Sequence, residues 1–545
     1  MTSRSFIKYP IFILFLLTII GGCKKLDLSP RDRYSELTYW NSTSNVHLAL
    51  NNVYHWLYTS GMVLMNEGLS DNAYRRADDV TLISSGSFTP DLARFRSEWN
   101  HYFTGLKACN LFLGNIDKNE TIDDAVKERM KAEVRFVRAW FHFHLTKWWG
   151  DAPVVDKELT VEEAKSIPRS PKAEVVKFIT DELDAAAAVL PKKENYTEAD
   201  LGRITKGAAL ALKARVLLYD GNRMAEVVTI CEQLMDQQNI NGVYSLESNY
   251  TNLFSDASVN QKTNESILSL QFAPVTRTWG EYFDMAPISE GARTNGLAPT
   301  QELVNSYIML NGKAINEAGS GYNENDPYVN RDPRLTATVV YHGYQWQRPN
   351  GSNVTIYIRP GSTPAGGINS NEYRNDGQGS PTGYYWRKYW DPNFTTPGIS
   401  SGLNIHLIRY ADVLLMYAEA KEALGQFTAD VWNKTIRPIR QRAGFTDAGA
   451  LNYPGNTNIR DIIRNERRVE LALEGLRIDD IRRWRIAEVV MNGWAHGAKY
   501  GDPTVDNGYI RVQLRTFDPS KHYLWPVPPS EIELNKNLLP QNPNY

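Results

Sequence analysis

Hydrophobic positions recur with a helical period in the first and last parts of the chain and lose that period between them. From Ser35 to Tyr58, Leu37, Trp40, Val46, Leu50, Val53 and Leu57 fall on one face, which predicts an amphipathic helix. Ser97–Asn115 and Ala125–Trp148 read as two long helices. The second carries Phe136, Trp140, Phe143 and Trp148 inward and is stopped by Gly150-Asp151-Ala152-Pro153. Ser170–Leu190 is a further helix, whereas Asp71–Arg96 is polar and reads as a loop. Thr205–Tyr219 and Arg223–Gln237 form a helical hairpin with a turn at Asp220-Gly221-Asn222.

In that hairpin, Ala211, Gly221 and Ala225 put small residues where two helices cross closely and a glycine between them. The arrangement is similar to a tetratricopeptide helix pair. A second copy runs from Tyr410 to Arg442, with Ala418, Gly425 and Ala429. The copies are far apart, which predicts one mainly α superhelix with a large insertion at about 239–404 rather than a tandem array. The insertion is rich in Gly, Pro, Asn and Ser. It offers only short β-like pieces, Ser266–Phe272, Ala337–Tyr341 and Val354–Ile358.

The stretch Ile459–Trp484 organises the rest. Ile459, Ile462, Ile463, Val469, Leu473 and Leu476 share a broad helical face with Glu466 and Glu470, and Glu474 follows four residues later; Gly475 is expected to end the helix in a left-handed turn. Like charges four apart repel on an isolated helix, so cations from elsewhere must compensate them. Arginine suits bidentate pairing, and Arg409, Arg442 and Arg477 are the candidates for Glu470. The competing reading makes Glu466 and Glu470 the acid–base pair of a surface glycoside hydrolase, which requires both carboxylates in an open cleft.

Arg4 and Lys8 precede the apolar run Ile11–Ile20, too short to span a bilayer comfortably. The pattern predicts a signal peptide over residues 1–22. Ile20-Gly21-Gly22-Cys23 looks like a bacterial lipobox, in which Cys23 would be acylated after cleavage and hold a soluble body at a membrane. A lipidated tether, 23–34, would lead into a single domain, 35–545, with its helical scaffold at about 35–238 and 405–545. Lys24 after the cysteine resembles an outer-membrane address.

With a net charge of −2, the chain gives no electrostatic sign of a nucleic-acid partner. Some of its 14 Trp and 29 Tyr belong to the core, but flat rings also line carbohydrate and peptide sites. Cys109 and Cys231 read as buried thiols. Gly398-Ile399-Ser400-Ser401-Gly402 fits the serine-hydrolase elbow only as a string, because no strand–turn–helix context surrounds it. His142 and His144 are two apart on a helix and cannot share a metal. Asp326 and Asp332 could contribute to a calcium site, but without EF-hand spacing.

Several stretches together resemble the SusD/RagB family of nutrient-uptake lipoproteins of Bacteroidetes. They are the segment at Cys23, RFVRAWFHFHLTKWWGDAPVV at Arg135–Val155, ITKGAALALKARVLLYDGN at Ile204–Asn222 and NRDPRL at Asn330–Leu335. IRYADVLLMYAEAKEALG at Ile408–Gly425, IRPIRQRAG at Ile436–Gly444, the helix NERRVELALEG and the ending LWPVPPSEIELNKNLLPQNPNY complete them. The resemblance implies a tetratricopeptide-like scaffold with a variable ligand-binding region, no catalytic activity and no obligatory cofactor. It also implies a SusC-type TonB-dependent transporter as partner, to which oligosaccharides, or in some members peptides, are delivered. The binding loops carry no motif that aligns. Site residues are therefore expected by location and chemistry: Asp71, Asn72, Tyr74 and Phe88 from the first loop, and Trp279, Tyr282 and Trp346 from the insertion.

Overall fold

The computed structural model describes residues 39–76, 78–236, 238, 240–364, 370–374, 379–392 and 400–545. Cys23 and the expected signal peptide lie outside them. Among the described residues, no helix is long and apolar enough to cross a membrane.

The scaffold begins with α1 (Thr43–His55) and α2 (Ser60–Leu64), capped by Ser42 and Thr59. The stretch expected to be a loop is partly ordered. It holds β1 (Ala73–Arg75) and α3 (Asp79–Ser85), and the next helix, α4 (Ala93–Asn115), starts four residues before the expected Ser97. Asp78 and Thr81 form a reciprocal capping box that nucleates α3, a local signal masked by the polarity of the surrounding sequence. α5 (Asp124–Trp149) packs along α4, and Gly105 makes their approach possible. A β-carbon there would lie 2.3 Å from the Phe141 ring. Phe136, Trp140, Phe143 and Trp148 are all buried as expected, each large apolar side chain contributing about 1.5–3 kcal/mol.

α6 (Lys172–Val189), α7 (Lys206–Asp220) and α8 (Met224–Leu234) continue the stack, with Thr205 capping α7 and the turn falling at Gly221. α8 then packs against a helix that follows the insertion, α10 (Tyr410–Ala423), so one superhelix runs through the interruption. The intervening chain contributes β2 (Ser266–Leu270), β3 (Leu297–Pro299), α9 (Gln301–Ser306), β4 (Val339–Val340), β5 (Tyr344–Gln347), β6 (Asn353–Ile356) and β7 (Tyr385–Trp386). The expected strand Ala337–Tyr341 is reduced to β4 because a short helix, Pro333–Thr338, precedes it. β8 (Ile405–Arg409) leads into α10; β9 (Gly493–His496) and β10 (Arg511–Arg515) form a late hairpin. The strands pair only two by two, all antiparallel. β1–β3 and β2–β8 tie the insertion to the scaffold at both ends.

α11 (Ile436–Ala443), α12 (Ile459–Glu470) and α13 (Arg477–Arg483) close the fold. α12 ends at Glu470, earlier than expected. Leu473 (φ 60°) and Gly475 (φ 73°) both turn left-handed, and a β-carbon on Gly475 would meet the Val63 carbonyl oxygen at 2.5 Å. The turn carries Glu474 off the helix and toward Arg409.

The glutamates are compensated as the charge pattern requires. Arg334 Nη1 lies 2.7 Å from Glu466 and 2.9 Å from Glu470. Arg409 reaches Glu265 at 2.6 Å, Glu470 at 2.7 Å and Glu474 at 2.8 Å. Arg440 holds Glu466 at 2.9 Å, Lys388 holds Glu474 at 2.7 Å, and Arg442 bonds both Glu265 and Glu470. Asp332 completes the set, 2.7 Å from Arg334. Five carboxylates thus meet five cations, all buried except the half-buried Arg442, and the cations come from the insertion, β8 and α11. Two of the three arginines named for Glu470 serve it; Arg477 goes to Asp71 instead, and Arg334 takes the third place. Burial alone would raise the Glu470 carboxyl, but Arg442, Arg409 and Arg334 outweigh it and hold the group well below the usual carboxylate range. The pairing of Asp332 with Arg334 also removes it from any calcium site.

A second charge cluster joins the late hairpin to the insertion. His496 faces two carboxylates, Nδ1 to Glu302 Oε1 at 2.8 Å and Nε2 to Asp506 Oδ2 at 3.1 Å. The bond to Glu302 is the main reason its pKa is raised, against some loss from burial. A raised folded pKa means the contribution is fully present below the unfolded value, about 6.5, and is lost as pH rises through the folded one. We expect thermal midpoints to fall as pH is raised through neutrality and His496→Gln to flatten that fall; equal slopes for parent and variant would refute the coupling.

Candidate functional site

An open groove of about 670 Å³ lies where the segment after α1 meets the N-terminal half of α4. Thr59, Met62 and Met65 form one wall, Asp78, Asp79 and Val80 the second, and Arg94, Ser97, Glu98 and His101 the floor from α4. The α4 residues recur at i, i+3, i+4 and i+7, so one stripe of that helix is polar and faces the groove. Arg94 Nη2 is fixed by Glu98 Oε1 and Asn66 Oδ1, both at 2.6 Å. Asp78 is held by Arg75 at 2.6 Å and caps α3. Asp79 opens α3 half-exposed, and Ser97 is exposed. Burial lowers the pKa of His101, which favours the neutral ring; its Nε2 is buried without a hydrogen-bond partner, and its ring packs edge-on to Trp56 at 5.4 Å. Ser60 beside the groove donates to Glu281 of the insertion at 2.7 Å, so the rim joins scaffold and insertion. The site offers carboxylates, a hydroxyl and an imidazole beside two methionine side chains: polar partners for hydroxyl groups next to small apolar faces.

Most residues expected from sequence are elsewhere or occupied. Asp71 is buried between Arg477 (2.8 Å) and Arg468 (3.0 Å); burial would raise its pKa, but these arginines hold it well below the usual range. Asn72 donates to Glu67 at 2.7 Å and accepts from Arg468 at 2.7 Å. Phe88 is buried among Phe95, His522 and Tyr545. Tyr74 is half-buried on β1, paired with Ala298. The insertion rings also pack inward. Trp279 is 3% exposed and its Nε1 donates to the Leu403 carbonyl at 2.8 Å. Tyr282 donates to the Trp386 carbonyl at 3.0 Å, and Trp346 lies against Trp390 with centroids 4.8 Å apart. The physical reason is shared: with few regular elements, the insertion has little else to bury, so its rings make its core. Among these expected residues, Asp71, Asn72, Phe88, Trp279, Tyr282 and Trp346 are all buried in this structure. The groove residues that sequence reasoning missed had one legible signal, the polar stripe on α4.

The alternative chemistries lose their geometry as well. Glu466 and Glu470 are buried in the ion-pair network and cannot flank a substrate. Ser400 precedes β8 instead of following a strand and opening a helix, and Gly398 and Ile399 lie outside the described residues. His142 is buried, with Nδ1 2.8 Å from the Arg138 carbonyl oxygen and Nε2 accepting from the Val155 N–H at 3.0 Å. Cys109 and Cys231 are buried free thiols, as expected. Among the described residues, no group of three or more potential ligands is placed to hold a metal.

Two family models together cover nearly all of the chain from residue 27 onward. "SusD family" matches residues 231–545, and "Starch-binding associating with outer membrane" matches residues 27–218. The first spans more than half of the chain, and the chain belongs to the SusD family. It is 24% identical to SusD-like protein P25 of Formosa agariphila over 573 residues, covering 97% of each chain. A shorter match, 27% over 202 residues and 36% of this chain, joins it to the starch-binding protein SusD of Bacteroides thetaiotaomicron, of which it covers 34%. Among solved structures, a SusD-like carbohydrate-binding protein from Bacteroides fragilis superposes with a TM-score of 0.82 at 29% identity, over 92% of this chain and 100% of that one. The expected helical scaffold with its insertion is the fold shared with that SusD-like structure.

Proposed function

We propose that the chain is a cell-surface lipoprotein that binds oligosaccharide in the groove between α2, α3 and α4 and passes it to a SusC-type TonB-dependent transporter in the outer membrane. The observation that carries this reading is the groove itself: open to solvent, with a methionine-bearing wall facing polar side chains from α3 and α4, and framed by the scaffold of a family with starch- and carbohydrate-binding members. In this reading, sugar hydroxyls bond to Asp79, Ser97 and His101, and C–H faces rest on Met62 and Met65. An open site makes contacts of modest strength, which suits a receptor that must release its cargo; total affinity should fall between about micromolar and millimolar.

Titration calorimetry with a panel of neutral oligosaccharides, starch fragments included, tests the assignment. Asp79→Ala and His101→Ala should each weaken the best ligand at least about fivefold, with melting temperatures near the parent's. Parental affinity in both variants would place the ligand elsewhere. Binding of peptides but of no sugar would overturn the ligand class and favour the peptide receptor.

A further inference from the structure

A second and larger cavity, about 720 Å³, shares no lining residue with the groove. It opens among α5, α6, α7 and α13 and is closed on one side by the C-terminal tail at Leu539–Pro543. Six cationic side chains line it against three carboxylates. Some of these charges are already committed. Lys147 pairs with Asp479 at 3.0 Å, Arg483 pairs with Glu419 and Asp480, and Arg169 bonds the carbonyls of Trp149, Asp151 and Pro540. Arg485 is exposed, lies over the Tyr523 ring at 4.1 Å and makes no close salt bridge among the described residues, its nearest electrostatic carboxylate neighbour being Glu488.

Three lining residues also carry buried polar atoms without a hydrogen-bond partner: the Tyr219 hydroxyl, Asp479 Oδ1 and Arg482 Nη1. Asp479 and Arg482 are 6% and 9% exposed. Buried polar atoms are almost always satisfied, and three on residues that line one cavity are bonds that a group bound there would supply. The set is specific. Arg482 donates, Asp479 accepts, and the tyrosine hydroxyl does either. A guanidinium with a free N–H calls for a carboxylate; an acceptor beside a hydroxyl calls for alcohol groups. Phe143, Tyr523 and Leu524 add apolar surface for a ring face.

We propose that this cavity is a second ligand site, for a small polyhydroxylated carboxylate of the sugar-acid class. Its carboxylate meets Arg482 and Arg485, and its hydroxyls meet Asp479 and Tyr219. The volume falls in the range of small-molecule pockets and exceeds a single sugar ring, so a short acidic saccharide also fits. The assignment does not depend on the groove, and either can fail without the other.

Titration calorimetry of the full chain with sodium glucuronate tests it, with glucose lacking the carboxylate and acetate lacking the hydroxyls as controls. Glucuronate should bind saturably and at least about tenfold more tightly than either control. Tyr219→Phe removes only a hydroxyl, and Arg485→Gln alters an exposed side chain. Each should weaken glucuronate several-fold without moving the melting temperature of the unliganded protein, while Asp79→Ala in the groove should leave glucuronate binding unchanged. Absence of saturable binding, equal affinity for glucose, or parental affinity in both cavity variants would overturn the proposal and leave the cavity to solvent.

Discussion

Glu470→Gln lowers stability by about 3–5 kcal/mol, the typical cost of breaking one partner out of a buried ion pair. The substitution keeps the shape of the side chain and removes its charge. Arg334, Arg409 and Arg442 are left sharing one carboxylate fewer in a buried setting. Unfolding entropy is about 2 cal/mol/K per residue, so for a chain of this length melting as one unit the midpoint falls by about 3–4 °C. Lys177→Ala is the control, because the Lys177–Asp181 pair is exposed and such pairs contribute at most about 1 kcal/mol. The pH dependence follows from the sign of the shift. The folded carboxyl of Glu470 is depressed, so its contribution is present above the unfolded pKa, about 4.3, and is lost as pH falls from there toward the folded value. The parent should lose stability steeply in that acid window, and Glu470→Gln less steeply. A variant no less stable than Lys177→Ala would mean that the network does not hold insertion to scaffold.

In the proposed lipoprotein, Cys23→Ala is expected to abolish lipid-mediated membrane attachment. Acyl chains on Cys23 would bury about 0.8 kcal/mol per CH₂, and the variant would lose that anchoring energy. The variant should move from the membrane to the soluble fraction and take up no labelled fatty acid. Label retained in Cys23→Ala would disprove the lipobox reading.

The helical scaffold was legible because amphipathic periodicity reports which faces are buried. α5, with Phe136, Trp140, Phe143 and Trp148 inward, is the clearest case. The network was half legible. A row of glutamates on an apolar face demands cations, and Arg409 and Arg442 follow from their nearness to α10 and α12. Arg334 could not be foreseen, since it reaches Glu470 from 136 residues away through a segment without periodicity. The proposed binding residues were the least legible. A tryptophan in a glycine-rich loop reads the same whether it faces a ligand or seals the loop, and Trp279 seals the loop by bonding Leu403. The groove is built instead from helical residues, Ser97 and His101 on α4 and Asp79 on α3, whose polarity reads first as ordinary solvated surface.

Hydroxyl-radical footprinting, with and without a saturating oligosaccharide, tests the groove assignment most directly, because one wall and the floor carry readily oxidised side chains. Oxidation of Met62, Met65 and His101 should drop clearly on ligand addition, while exposed Trp494 on β9, outside the groove, stays as reactive as before. Unchanged oxidation at Met62, Met65 and His101, with protection appearing only on the insertion or the late hairpin, would contradict the assignment.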